Sequence, residues 1–429
     1  MRQMKDSGIE WIGRIPETWE LKRLKSQLIE IKEKNYPLKT DKVLSLTIKD
    51  GVIPYEEKGD VGNKSKENHE EYKLAYPNTI VLNSMNILIG AVGISNYYGC
   101  VSPVYYVFKN RESADLRFIN YIMSSTPFQK YLRKYANGIL EIRLRISAED
   151  ILKRQIPTPC LIEQQRIADY LDAKCGEIDS LIALQEQMIE KLKAYKQSVI
   201  TEAVTKGLDP NAKLVPSGID WIGEIPEGTK LVKLSMLTSK IGSGSTPRGG
   251  SSIYVKEGIK FLRSQNVYCE GFNLSDVAYI TEEIDKEMSG TRVQVGDVLL
   301  NITGGSIGRC YYVDETLGRA NVNQHVSIIR PTKIQTKYLK YYLQSDCGQT
   351  QIDLLQTGGN REGLSAAALS QFLIVYPSRD DQNSIALYLD EKCAEIERLI
   401  ALKQQKIEKL KDYKKSVIYE AVTGKTIIE

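Results

Sequence analysis

The side chains that do covalent or metal chemistry are scarce in this chain. Its only histidines are His69 and His325, which leaves Ser/His/Asp catalysis poorly supplied. Seven cysteines, Cys100, Cys160, Cys175, Cys269, Cys310, Cys347 and Cys393, form no C-x-x-C pair and are odd in number. A Cys/His zinc site is therefore not expected, and the thiols read as reduced. The run GSGSTPRGG at 242–250 is glycine-rich but lacks the Gly-Lys-Ser/Thr ending of a phosphate-cradling loop. TGGSIG at 303–308 reads as a turn between strands. H-E-x-x-H and the Asn/Asp-Pro-Pro-Tyr/Phe motif of amino-methyltransferases are both missing. No catalytic residue, metal ligand or cofactor site is assigned.

Recognition chemistry is better supplied. Arg and Lys match the major-groove edge of guanine, Asn and Gln that of adenine. Loop positions of this kind are Lys58, Asn63, Lys64, Lys66, Asn83, Asn86 and Asn96 in one segment. In another they are Arg248, Arg263, Gln265, Asn266, Asn301, Arg309, Asn323 and Gln324. Each taken singly also fits an ordinary solvated loop residue. Tyrosine, with 25 residues against 6 phenylalanines, suits a surface facing a polar partner, although Tyr97, Tyr98, Tyr105 and Tyr106 fall on strand patterns.

These loops need a scaffold, and the bulk numbers allow one. A chain of 429 residues with 42% hydrophobic and 26% charged residues has the composition of packed domains, two to four of them at about 100–200 residues each. A net charge of +4 and a pI near 8.4 are too mild for a non-specific nucleic-acid coat. The opening MRQMKDSGIEWIG has no apolar h-region, and no run nears the ~18 apolar residues of a membrane span. A cytoplasmic protein is expected.

The scaffold is written twice. DSGIEWIGRIPETWELKRL at 6–24 returns as PSGIDWIGEIPEGTKLVKL at 216–234. Residues 167–205 return without a gap at 385–423, with Cys175 matching Cys393, Tyr195 matching Tyr413 and the EAVT ending kept in step. The long segments between them, roughly 25–155 and 235–375, show no obvious likeness. Strand patterns run through KVLSLTI, NTIVLNS, NILIGAVGIS and VYYVFKN in the first, and FLRSQNV, VAYI, GDVLLNITG and HVSIIRP in the second. A short helix, LRFINYIMSSTPFQKYLRKY or KYLKYYLQSDCGQTQIDLL, is expected to follow each set.

Residues 163–204 contain no proline and only Gly176 as glycine, which predicts a helix of about 60 Å at 1.5 Å per residue. Its expected pairing stripe has one track through Leu171, Ile178, Leu192 and Val199 and another through Leu181, Met188 and Tyr195. The second copy uses Leu389, Ile396, Leu410 and Val417, then Leu399 and Tyr413. Ile182, Ile189, Ile400 and Ile407 widen the stripe, while Gln185, Lys403 and Lys406 interrupt it. An antiparallel intramolecular pair with pseudo-twofold symmetry is expected. A coiled coil between two chains is the alternative. The expected fold class is α/β (α+β): two recognition domains with curled mixed β-sheets, joined by these helices. The boundaries read from sequence are 1–155, 156–207 for the first helix, 208–375 and 376–429 for the second.

SGIEWIGRIPETWELKRL and its second copy, with IPTPCLIEQQRIADYLD leading into EIDSLIAL and KLKAYKQSVITEAVTKG, resemble the specificity subunits of type I restriction–modification systems. The resemblance implies two target recognition domains, each reading half of a split, asymmetric DNA sequence. It implies a helical spacer that docks two modification subunits bearing S-adenosylmethionine. A restriction subunit would supply ATP- and magnesium-dependent translocation and cleavage, and this chain would hold no cofactor or activity. It also marks Gly304, Gly305, Ile307 and Gly308 as a recurrent turn, Gln324 and His325 as a position before a strand, and Arg143 and Arg361 as phosphate contacts in matching pre-helix loops. The first variable segment echoes the turn only loosely, and the second pre-helix loop reads DQNSI where the family has EQ-x-x-I. A stand-alone DNA-binding scaffold, a nuclease with carboxylate-bound magnesium and a coiled-coil adaptor remain the rival readings.

Overall fold

The computed structural model describes residues 2–48, 50–59, 68–85, 90–137, 144–356 and 363–428. They form two compact units, Met1–Glu186 with Gln404–Glu429, and Gln187–Lys403.

In the first unit the central sheet is antiparallel, in the order Leu28–Ile31, Tyr105–Asn110, Thr79–Asn83, Val92–Ser95. Alternation along its strands buries both faces. Ile80, Leu82 and Phe108 face the main core with Trp11, Trp19 and Phe118. Val81 and Val107 face a second core under the hairpin Leu44–Thr47/Gly51–Pro54. The helix expected after the strands is two helices, α1 (Leu116–Ser124) and α2 (Thr126–Arg133). The Asp115 carboxylate caps α1 by accepting the N–H groups of Arg117 and Phe118. Extended backbone at Ser125, followed by Pro127 in the first turn of α2, makes the break. After the short helix α3 (Ala148–Leu152), Gln155–Thr158 pairs back onto Glu20–Arg23 and launches α4 (Leu161–Lys206).

The second unit repeats this plan. Thr238–Ser243, Val326–Pro331, Val298–Asn301 and Cys310–Tyr312 form the equivalent four-stranded sheet in the equivalent order. Beside it lies a mixed three-stranded sheet, Ala278–Ile280, Ile259–Leu262 and Ala320–Val322, the last two strands parallel. The short helix α5 (Glu282–Glu287) docks there through buried Asp285, which takes Arg292, Arg319 and Asn321 as partners. Helices α6 (Thr336–Gln344) and α7 (Asp346–Leu355) again break at a serine, Ser345. α8 (Ala366–Ser370) precedes Leu373–Tyr376, which pairs with Lys230–Lys233 and launches α9 (Arg379–Val422). The two variable segments, unlike in sequence, therefore share one strand order.

Carboxylates of each long helix tie it to that unit's helix pair, Asp169 joining Asp172 on Arg117 in the first unit at 2.7 Å. Asp172 accepts from Arg117 at 2.8 Å and from the Tyr121 hydroxyl at 2.7 Å. Asp390 accepts from Lys337 at 2.7 Å and from the Tyr341 hydroxyl at 2.8 Å. Burial, then the bond to the carboxylate, holds both phenols well above the usual tyrosine range, so they stay donors. Gly207 and Gly424 end the long helices in the left-handed region, at φ 77° and 70°. Among the described residues no helix is long and apolar enough to cross a membrane.

Parts of α4 and α9 pack together within each unit, and their ion pairs fit an antiparallel course. In the first, Lys414 binds Asp179 at 2.7 Å. In the second, Lys196 binds Glu397 at 2.6 Å. Burial opposes the Lys196 charge, but the Glu397 bond outweighs it and raises its pKa.

The seam corrects half of the predicted pairing. The track through Leu171, Ile178 and Val199, with Leu389, Ile396 and Val417, is buried, and Leu192 and Leu410 are half-buried. The second track is not Leu181, Met188 and Tyr195, nor Leu399 and Tyr413, all of which are exposed. It runs through Cys175, Ile182 and Ile189, with Cys393, Ile400 and Ile407, four residues after the first track rather than three. A heptad spacing fixes the period, but apolar residues on both flanks leave the side undecided. Gln185 sits buried in the seam. Accordingly, Ile178→Ala is expected to lower unfolding free energy by about 2–4 kcal/mol, and Leu181→Ala by less than about 0.5 kcal/mol, both read by urea denaturation.

Candidate nucleic-acid interface

Strand register fixes where the loops emerge. In the second unit Ser243 pairs with Ser327 and Asn301 with Val326, so one strand ends where its neighbour begins. Leu262 and Val322 end side by side in the adjoining sheet. The loops 244–249, 263–267, 302–309 and 323–325 therefore leave one end of both sheets. Gly244 seats the first of them. A Cβ there would lie 2.0 Å from the Val322 carbonyl oxygen, so only glycine allows this approach. The Ser245 N–H then donates to that carbonyl at 3.3 Å.

Buried amides lash the loops together. Asn301, fully buried, donates to the carbonyls of Ser264 at 2.8 Å and Val267 at 3.3 Å. Asn266 accepts the Arg263 N–H at 2.9 Å and donates to the Asn273 carbonyl at 2.9 Å. The strand expected through FLRSQNV therefore ends at Leu262 and becomes a tight turn over Ser264–Asn266. The Asn323 N–H donates to the Leu262 carbonyl at 3.0 Å, and its side chain accepts the His325 N–H at 3.1 Å.

A polar chain crosses the tip. The Thr246 hydroxyl donates to Gln324 Oε1. Gln324 Nε2 donates to His325 Nε2 at 3.0 Å, and His325 Nδ1 meets Thr303 Oγ1 at 2.7 Å. Arg248 is exposed on the glycine loop, and Arg309 lies 5.1 Å over the Tyr268 ring. Burial raises the thiol pKa values of Cys269 and Cys310, so neither is a thiolate nucleophile at neutral pH. Among the described residues no cluster of three His, Cys, Asp or Glu could hold a metal ion.

The first unit has the same frame. Asn83 opposes Tyr105 as Asn301 opposes Val326. The Ile146 N–H reaches the Ser84 carbonyl at 3.4 Å as that of Leu364 reaches Ile302 at 2.9 Å. Gly90 and Gly308 both take positive φ, 97° and 86°, beside Gln129 and Gln349. The same chain spacing separates Asn83 from Asn301, Gly90 from Gly308 and Leu171 from Leu389. That spacing was the available signal for a shared frame.

The predicted contact residues divide accordingly. Asn83, Asn266, Asn301 and Asn323 are buried and bonded to the protein's own backbone. They build the loops rather than present an edge, because an amide matching a base edge equally well matches a carbonyl and an N–H. Arg263 and Gln265 are engaged by Asp276, at 3.4 and 2.7 Å. Lys58 lies 5.1 Å over the Tyr55 ring. Asn96, Arg248 and Gln324 are exposed, and Arg309 is half-exposed. Asn63, Lys64, Lys66, Asn86, Arg143 and Arg361 lie outside the described residues. Thr246 and Thr303 were not singled out, since hydroxyls carry no base preference of their own, and His325 was noted only by position.

Asn301→Ala removes the amide from the Val267 carbonyl and leaves the Ser264 carbonyl with only the Val267 N–H at 3.3 Å, and is expected to cost about 1–3 kcal/mol. Thermal denaturation reads the loss, and Asn83→Ala in the first unit should show the same direction.

The profile of the type I restriction–modification DNA specificity domain matches this chain twice, over residues 16–194 and 226–412. The MjaVIII specificity subunit of Methanocaldococcus jannaschii is 27% identical over 429 residues, covering 96% of this chain and 94% of that one. The EcoKI specificity subunit of Escherichia coli is 22% identical, covering 72% of this chain and 65% of that one. A solved chain from work on assembly and conformational transition of the type I R-M system superposes with a TM-score of 0.73 at 15% identity, over 95% of this chain and 98% of that one. The HsdS subunit from Thermoanaerobacter tengcongensis gives 0.53 at 15% identity, over 98% and 100%. With two matched domains folded as two units of one design, the chain belongs to the type I restriction–modification DNA specificity family, the non-catalytic recognition components of those systems.

Proposed function

We propose that this chain directs a cytoplasmic type I restriction–modification complex to a split, asymmetric DNA site, each unit reading one half through the major groove. The observation that carries this reading is one strand frame, used twice, with different residues at its head. An identical tip would read a palindrome, whereas Gln324–His325 in one unit stands where the other has Pro103–Val104. The long helices set the unread gap between the halves.

The same helices offer docking surfaces for two modification subunits. Leu181, Leu184 and Tyr413 in the first unit are exposed, as are Met188, Tyr195, Leu399 and Leu402 in the second. Exposed apolar stripes of this kind mark partner sites. The modification subunits would carry S-adenosylmethionine and methylate adenine, and restriction subunits would use ATP and magnesium. This chain would hold no cofactor itself.

Co-expression with the modification subunit, followed by single-molecule mapping of methylated adenines, tests the reading. A motif of two defined halves around a fixed gap is expected, and replacing residues 235–375 should change one half only. A complex that methylates without sequence preference would sink it. Leu399→Lys with Leu402→Lys should leave the melting temperature nearly unchanged and weaken association with the modification subunit by at least about 10-fold, measured by titration of the purified subunits.

A further inference from the structure

The two units share the four-stranded frame, and at its head the described segments 102–104 and 323–325 hold the same place with different side chains. Register places Pro103 and Val104 of the first unit where the second has Gln324 and His325. In both units the second of these residues uses its carbonyl alike: Val104 accepts the Ser84 N–H at 3.4 Å and His325 the Ile302 N–H at 3.0 Å. Proline and valine offer a DNA edge no side-chain donor or acceptor. Glutamine offers both.

We infer that Gln324 is the side chain by which the second unit selects an adenine, and that His325 is its positioning residue. This rests on the DNA-reading function proposed above.

Gln324 is exposed, yet both ends of its amide are held. An amide nitrogen only donates, so the 3.0 Å bond from Gln324 Nε2 makes His325 Nε2 the acceptor. The ring proton then sits on Nδ1 and is donated to Thr303 Oγ1 at 2.7 Å. The Asn323 side chain fixes the backbone of His325 at 3.1 Å. At the other end, the Thr246 hydroxyl occupies one lone pair of Gln324 Oε1. Loops 244–249, 302–309 and 323–325 thus converge on one amide. A long side chain fixed before contact avoids much of the ordering cost that binding otherwise carries.

The remaining capacity sets the preference. One N–H of Nε2 and one lone pair of Oε1 are left for a ligand. Adenine presents one donor, N6, beside one acceptor, N7. The match is bidentate. Guanine presents two acceptors, O6 and N7, so Oε1 would face an oxygen. Cytosine and thymine each offer a single polar group there. Exposed Arg248, two residues from Thr246 on the same loop, suits a phosphate, a contact that holds DNA without reading it.

The test uses the full complex with its modification subunit and maps methylated adenines for wild type, Q324A, H325A, the double variant and R248A. Q324A is expected to make one adenine position degenerate, with about 10–100-fold less preference, and to leave the half read by the first unit unchanged. That unchanged half also reports that the variant is folded. H325A should relax the same position to a smaller extent, and the double variant should relax it no further than Q324A. R248A should slow methylation at every site with the motif intact. A Q324A motif identical to wild type overturns the inference. Relaxation by H325A at a different position overturns the positioning role. If Q324A abolishes methylation, selection from randomised duplexes by the same complex decides: one relaxed position upholds the inference, an intact motif overturns it. A wild-type complex with no split motif is instead the failure of the parent reading, visible before any variant is made.

Discussion

Each long helix carries an apolar stripe that it cannot bury alone, and that constraint organises the rest of the molecule. α4 spans 46 residues and α9 spans 44, lengths at which helix propensity contributes far less than the packing of one face. Leu171, Val417 and Val422 complete the core that holds Trp11 and Trp19 in the first unit. Val199, Val204 and Leu389 do the same for the second. Asp172 and Asp390 then lock α1 and α6 onto these helices through paired cationic and phenolic donors. The central sheets pack beneath those helices, and the loop clusters take their position from the sheet ends. Precision at a loop tip is inherited, step by step, from a helix seam.

Much of this was legible in the sequence because it is written in periods and duplications. Two copies of the helix gave its length and its intramolecular pairing. Alternation located most of the central strands. What periodicity could not resolve was handedness of choice: three or four residues on from Ile178 stand Leu181 and Ile182, both apolar, and only packing decides that Ile182 turns inward. The outward track was then free to serve as a partner surface. The helix breaks at Ser125 and Ser345 were similarly hidden, since each lies between two amphipathic stretches that would suit one continuous helix.

The shared frame of the variable segments escaped notice for a different reason. A strand order depends on alternation and register, which many sequences satisfy, whereas likeness by eye depends on identities. The few residues that geometry does constrain, Asn83 with Asn301 and Gly90 with Gly308, keep their spacing. They are too sparse to announce a repeat. The same logic explains why the burial of Asn83, Asn266, Asn301 and Asn323 was not legible in the sequence. An asparagine that satisfies two loop carbonyls and one that reads a base have the same chemistry. Burial tells them apart, and burial is a tertiary property.

This division bears on how such a reader changes what it reads. Asn301 and Asn266 are buried amides whose loss would leave backbone carbonyls or N–H groups unpaired, at about 1–3 kcal/mol each. Variation there works against folding before it alters recognition. Gln324 and Thr246 lie on the surface, where substitution typically moves stability by less than about 0.5 kcal/mol. A tip held by side chains on separate loops can therefore exchange its donors and acceptors while the amides beneath it stay fixed. Two such tips on one repeated frame can drift apart independently, which is the condition for a chain that began as a duplication to read two different sequences.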